Sequence, residues 1–217
     1  MPGGDGQGLT RLELARYFLS AFVVRQFTIA WVVFAFEEDA LQGRLSPMLL
    51  QPLHPLWRYL TSHLAEQATR LPFTLLIAAI FLALQPTAIE LPGPARLLAA
   101  IPAIGLGFGV NFLLQSIVAV LCFWSERATA LDRLLYMPFF FLSGLVAPLD
   151  TFPEPIHRLA LLTPFPLVID FPARLLAGAP VGLAAGYLVQ LLWIGLLLPV
   201  VMLLWRLGVR RYGAMGA

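Results

Sequence analysis

A chain of 217 residues with 59% hydrophobic and 12% charged residues departs widely from the roughly 25% charged composition of soluble domains; with a mean hydropathy of +0.83 it reads as an integral membrane protein. The fourteen basic residues are all Arg, which excludes a P-loop, whose motif needs Gly-Lys-Ser/Thr, and excludes a Schiff-base lysine. Cys122 is the only cysteine, so an intrachain disulfide, a CxxC pair and a multi-cysteine metal site are excluded, and a net charge of +2 gives no footprint for nucleic acid.

About 20 apolar residues at 1.5 Å rise cross a hydrocarbon core of roughly 30 Å, so charge-free intervals predict the spans. The first ten residues, MPGGDGQGLT, lack the basic start of a cleavable signal peptide. Five spans follow in a single all-α transmembrane domain over 1–217: about 17–36, interrupted by Arg25; 71–89, between Arg70 and Glu90; 97–124; 131–149, charge-free only from 134; and 183–205. Arg placement orients them, because cytoplasmic segments retain positive charge. With 37–70 inside, eight arginines are cytoplasmic (Arg44, Arg58, Arg70, Arg127, Arg133, Arg206, Arg210 and Arg211) against five outside (Arg11, Arg16, Arg96, Arg158 and Arg174). The C-terminus is then cytoplasmic and the N-terminus external, which leads to the expectation of one further apolar stretch encoded upstream.

The loop 37–70 is too apolar for a simple linker. Glu37, Glu38 and Asp39 form an acidic stop; Gly43 permits a sharp turn before Arg44 and Leu45; Ser46 as N-cap with Pro47 at the first helical position predicts a short helix. Its apolar Met48, Leu49 and Leu50 are expected to form a knob for a cytoplasmic partner. Beyond Pro55, Leu56, Leu60, Leu64 and Gln67 share one face of an interfacial helix leading into the second span. The plainer alternative is a surface connector packed on its own bundle.

Polar groups inside the spans are few. Arg25 lies about eight residues, roughly 12 Å, inside the first span. An intramembrane Arg is a functional-site hypothesis by default, with structural pairing or snorkelling as the alternative. Asn111 and Gln115, four residues apart, share a face that can meet a polar solute or bond another helix. Gly105, Gly107 and Gly109 do not match a nucleotide-binding GxGxxG and fit close helix packing better.

Between Pro148 and Pro180, five further prolines forbid a continuous helix, yet Ile156, Leu159, Leu162, Phe165 and Leu167 are too apolar for open solvent. Broken apolar backbone at membrane depth must pack in protein, so 150–180 is read as an external re-entrant pair of short helices. No catalytic reading stands up: Ser143–Gly144 lacks a partner base, and His54, His63 and His157 have no metal-binding spacing.

Two stretches carry a resemblance. GRLSPMLLQPLHPLW, from Gly43, is similar to the cytoplasmic loop of the type-2 ABC exporter permeases, and FLSGLVAPLDTFPEPIHRLALLTPFPLVIDFPARLLAG, from Phe141 to Gly178, is similar to their external fold-back. The resemblance implies a multi-pass subunit in the bacterial cytoplasmic (inner) membrane, paired with a second permease subunit as homo- or heterodimer. A separate ATP-binding subunit would grip the loop, through Glu37, Glu38, Gly43, Arg44, Leu45, Ser46, Pro47, Met48 and Leu49. The expected activity is efflux of a hydrophobic or amphipathic, drug-like organic compound, with Arg25, Asn111 and Gln115 on its pathway. No catalytic residue, cofactor or metal is expected in this chain. Family members carry a further first helix, which this sequence lacks by that comparison. The competing reading is a nucleotide-independent carrier or a non-transporting assembly subunit; absence of carboxylates away from the span ends argues against the carrier.

Overall fold

The computed structural model describes residues 10–84, 93–125 and 127–214. The signal-peptide reading of 1–10, the end of the second predicted span at 85–89 and the last residues of the basic tail lie outside, or largely outside, these residues. Among the described residues there are nine α-helices and no strand: α1 Arg11–Thr28, α2 Val32–Leu41, α3 Leu45–Leu49, α4 Pro55–Leu84, α5 Pro94–Val120, α6 Ala128–Leu142, α7 Glu154–Leu161, α8 Asp170–Leu176 and α9 Leu183–Ala214. Four stretches are long and apolar enough to cross a membrane, namely 11–41, 55–84, 94–123 and 183–212, and the bent pair 154–161 with 165–176 makes a fifth if counted as one span. The chain is an all-α polytopic helix bundle.

α5 is its axis. It packs along α9 and also meets α1, α2, α6 and α8. Gly107 faces the short turn Phe165–Leu167, where a Cβ would stand 3.0 Å from the Leu167 carbonyl oxygen, so close packing, not a nucleotide loop, explains that glycine. Gln190 of α9, fully buried, donates at 2.9 Å to both the Ala103 and Leu167 carbonyls and joins α5, α9 and the fold-back.

The two ends of the bundle differ. At one end, α1 starts on a capping box in which Thr10 and Glu13 satisfy each other's backbone amides, and Tyr17 meets the fold-back. At the other end, α2, α3, the start of α4 and the last turns of α9 converge. Their centre is an aromatic knot: Phe36 lies 5.5 Å from Phe123 and 6.0 Å from Trp205, and Phe123 lies 5.8 Å from Trp205 and 5.7 Å from Tyr212, in edge-on geometries.

Several boundaries differ from the expected ones. The first span does not run unbroken from 17 to 36: it begins at Arg11, opens at 29–31 and resumes as α2 to Leu41, so Glu37, Glu38 and Asp39 are helical and not part of a loop. The interfacial helix and the second span are one helix of 30 residues, α4. The predicted span 131–149 stops at Leu142, where Gly144, at φ +84°, turns the chain. With 15 residues α6 is only about 22 Å long by the helix rise. It nevertheless links both ends, because Thr129 is held by Glu37 and the Gly144 carbonyl is held by Tyr17. The fold-back is a pair of short helices bent by 74°, as the prolines require.

Candidate functional site

The elbow between α2 and α4 is built from charge and burial. Gly43 takes φ +71°, a left-handed turn that a side chain would strain. Arg44 then folds back on α2, its Nε 2.6 Å from Asp39 Oδ1 and its terminal nitrogen 3.2 Å from Glu38, with a further bond to Gln42. The other Asp39 oxygen accepts from Tyr59 of α4 at 2.8 Å. Glu37 accepts from the Thr129 backbone N–H at 2.6 Å and from its hydroxyl at 3.0 Å, placing a carboxylate at the N-terminus of α6, where the helix dipole favours it. Asp39 and Glu37 therefore fasten the elbow to α4 and α6, while Glu38 holds Arg44 and Gln42 within it.

Ser46 does not cap α3. That helix starts at Leu45, before Pro47, and the Ser46 hydroxyl lies 3.0 Å from the Tyr212 hydroxyl of α9. The expected knob is also corrected. Leu45 and Met48, the latter 4% exposed, point into the bundle, and Leu49 packs partly against it. Of the expected knob only Leu50 faces fully outward, and the apolar surface consists of Leu50, Leu53 and Trp57, 89%, 71% and 60% exposed. A five-residue helix tethered by Tyr212 must bury its inner side, which leaves the residues after it outward. His54 lies against Trp205 in a tilted ring contact at 4.4 Å, and burial there pushes its imidazole below the ordinary value.

The second site is the opening at 29–31. Three side chains satisfy the freed backbone groups: Gln67 donates to the Phe27 carbonyl, Asn111 donates to the Thr28 carbonyl, and His63 Nε2 accepts from the Trp31 N–H, each at 2.8 Å. His63 Nδ1 is 2.7 Å from the Tyr59 carbonyl and donates to it, because Nε2 already accepts from Trp31. Non-helical backbone at this depth survives because neighbours replace the missing helix bonds.

Beside the opening lies a cleft enclosing about 40 Å³, lined by Arg25, Trp31, Asn111, Gln115, Asp132 and Tyr136 among others. All three residues expected on a pathway thus meet at one place. Gln115 Nε2 donates to Asp132 Oδ1 at 2.6 Å, while Gln115 Oε1 is buried without a hydrogen-bond partner among the described residues. The Arg25 side chain forms no hydrogen bond or ion pair with another described residue. Asp132 was not singled out by sequence, because Arg133 beside it marks a span end; the structure buries Asp132 at 6% exposure. His63 and Gln67 were likewise not assigned this role, their partners being backbone atoms 32 and 40 residues away.

At the opposite end, the Tyr17 hydroxyl lies 2.7 Å from the Gly144 carbonyl and 2.8 Å from Asp170 Oδ1. The Asp170 N–H donates to the Ser143 carbonyl at 2.9 Å, and Arg174 pairs with both Asp150 and Asp170. This clasp seats the fold-back on α1.

A protein-family model described as "ABC-2 family transporter protein" matches residues 8–216, a stretch that includes the elbow, the cleft and the clasp. The chain belongs to this family. A search of curated proteins found no match. As an ABC-2 family chain it is a multi-pass membrane permease component of an ABC transporter system, and the resemblance of the 43–57 and 141–178 stretches to type-2 ABC permeases agrees with the match. The family is a transport component, not a catalytic one, and implies an ATPase partner for this ABC-2 chain.

Proposed function

We propose that the chain is the permease subunit of an ATP-driven exporter in a bacterial cytoplasmic membrane, paired with a second permease subunit and moving a hydrophobic or amphipathic organic compound outward. The elbow is the docking element for the separate ATPase, and the cleft holding Arg25, Asn111 and Gln115 lies on the solute pathway. The observation that carries this reading is the way the elbow is wired. Leu50, Leu53 and Trp57 offer an apolar surface outside the bundle, while Asp39–Tyr59, Glu37–Thr129 and Ser46–Tyr212 tie the same elbow to α4, α6 and α9. A push on that surface is transmitted to three helices at once. Arg206, Arg210 and Arg211 lie at the same end of the bundle, which supports its cytoplasmic placement by the positive-inside rule.

Asp132 favours one second reading. A buried carboxylate in the cleft is what a proton-coupled, nucleotide-independent carrier would need. Reconstitution separates the two: inverted vesicles containing the chain and its ATP-binding partner should accumulate an amphipathic dye only with hydrolysable ATP, with or without a protonophore. Accumulation that ignores ATP and collapses with the protonophore would replace the exporter by the carrier.

A further inference from the structure

A basic and an acidic side chain share the cleft without pairing: Arg25 and Asp132 both line it, and no ion pair joins them. In a low-dielectric site each separated charge is costly unless something meets it. The poles are distinct. Asp132 and the unpartnered Gln115 Oε1 form an acceptor pole that calls for a hydrogen-bond donor, while the Arg25 guanidinium is a donor-only pole that calls for an anionic or acceptor oxygen. Trp31 and Tyr136 supply aromatic walls, with Phe139 and Phe165 beyond them.

Size narrows the ligand further. Whole drug-sized molecules occupy pockets of about 300–1,000 Å³, whereas this cleft encloses about 40 Å³. It has room for a small polar head, with the rest of the molecule left outside the opening. A single cation would meet Asp132 and be repelled by Arg25, and a single anion would meet the reverse. A head carrying both charges satisfies each pole.

We propose that the cleft beside the opening at 29–31 is a subsite for the zwitterionic head of an amphiphile, its ammonium toward Asp132 and Gln115 Oε1 and its anionic oxygen toward Arg25. This rests on the reading of the chain as a permease, and it specifies the chemistry that the cleft selects.

The test is binding to the full chain in lipid nanodiscs, without the ATPase, using three dansyl amphiphiles of similar length. Nε-dansyl-lysine carries a zwitterionic head, dansylcadaverine a cationic one and 6-dansylaminohexanoic acid an anionic one. Nε-dansyl-lysine should bind about ten-fold more tightly than either of the others, the scale of one charge-assisted hydrogen bond. Asp132→Asn should shift the preference to the anionic probe, and Arg25→Gln should shift it to the cationic probe. Equal affinities for the three probes in the unaltered chain would overturn the proposal even if a variant failed to fold. So would an order of preference that survives both substitutions. If this selectivity is absent while ATP-driven transport persists, the subsite falls and the exporter stands. Selectivity that persists without ATP-driven transport supports the subsite and removes the exporter.

Discussion

A Leu50→Asp, Leu53→Asp double variant should insert and fold normally yet fail to co-purify with the ATP-binding partner and lose ATP-driven transport, whereas Met48→Asp should lose the bundle itself. The contrast comes from burial. Leu50 and Leu53 already face outward, so carboxylates there stay solvated in the free subunit and oppose only an apolar partner surface. Each would cost several kcal/mol if desolvated and unpaired against that partner. Met48 is 4% exposed, and removing its side chain alone costs about 2–5 kcal/mol before the charge is counted, against a total stability of about 5–15 kcal/mol. Thermal unfolding separates the two effects. Normal co-purification by a well-folded double variant would move the docking surface away from the elbow.

Gly144→Val should unseat the fold-back. The residue sits at φ +84°, a region that costs a branched side chain about 1–3 kcal/mol. A Cβ there would also stand 2.7 Å from Asp170 Cβ and press on the Tyr17 hydroxyl, and such overpacking adds about 1–3 kcal/mol. With the Tyr17–Asp170 clasp displaced, a membrane-impermeant probe should reach a cysteine at Ala173, a position with no exposed surface in the seated fold-back. An unchanged unfolding midpoint together with a protected Ala173→Cys would contradict the clasp.

The long apolar runs made most of the fold legible, since the expected spans 97–124 and 183–205 fall on the helical stretches 94–123 and 183–212, and the prolines of 153–172 announce the broken fold-back. Gly43 and Gly144 are breakers in sequence and positive-φ turns in the structure. The opening at 29–31 left no such mark. Ile29, Ala30 and Trp31 include neither proline nor glycine, and the opening is supported by His63, Gln67 and Asn111, whose partners are remote in the chain. Asp132 was hidden for a related reason: hydropathy treats any charge as a span end, and only tertiary packing turns this one toward Gln115. On the elbow, Met48 and Leu50 are equally apolar, so their sequence places both outward although only Leu50 is. Which of them turns inward is decided by the Ser46 contact to Tyr212, a pairing across 166 residues.

Thiol labelling can read which side of the membrane carries the elbow and whether the ATPase covers it. In a Cys122→Ser background, Leu50→Cys and Glu154→Cys can be labelled with a membrane-impermeant thiol reagent, first in intact cells and then in inverted vesicles with and without the ATP-binding subunit. The expected pattern is labelling of Glu154→Cys in intact cells, and labelling of Leu50→Cys only in inverted vesicles and only when the ATP-binding subunit is absent. Labelling of Leu50→Cys in intact cells, or labelling in inverted vesicles that the bound ATPase does not suppress, would contradict it.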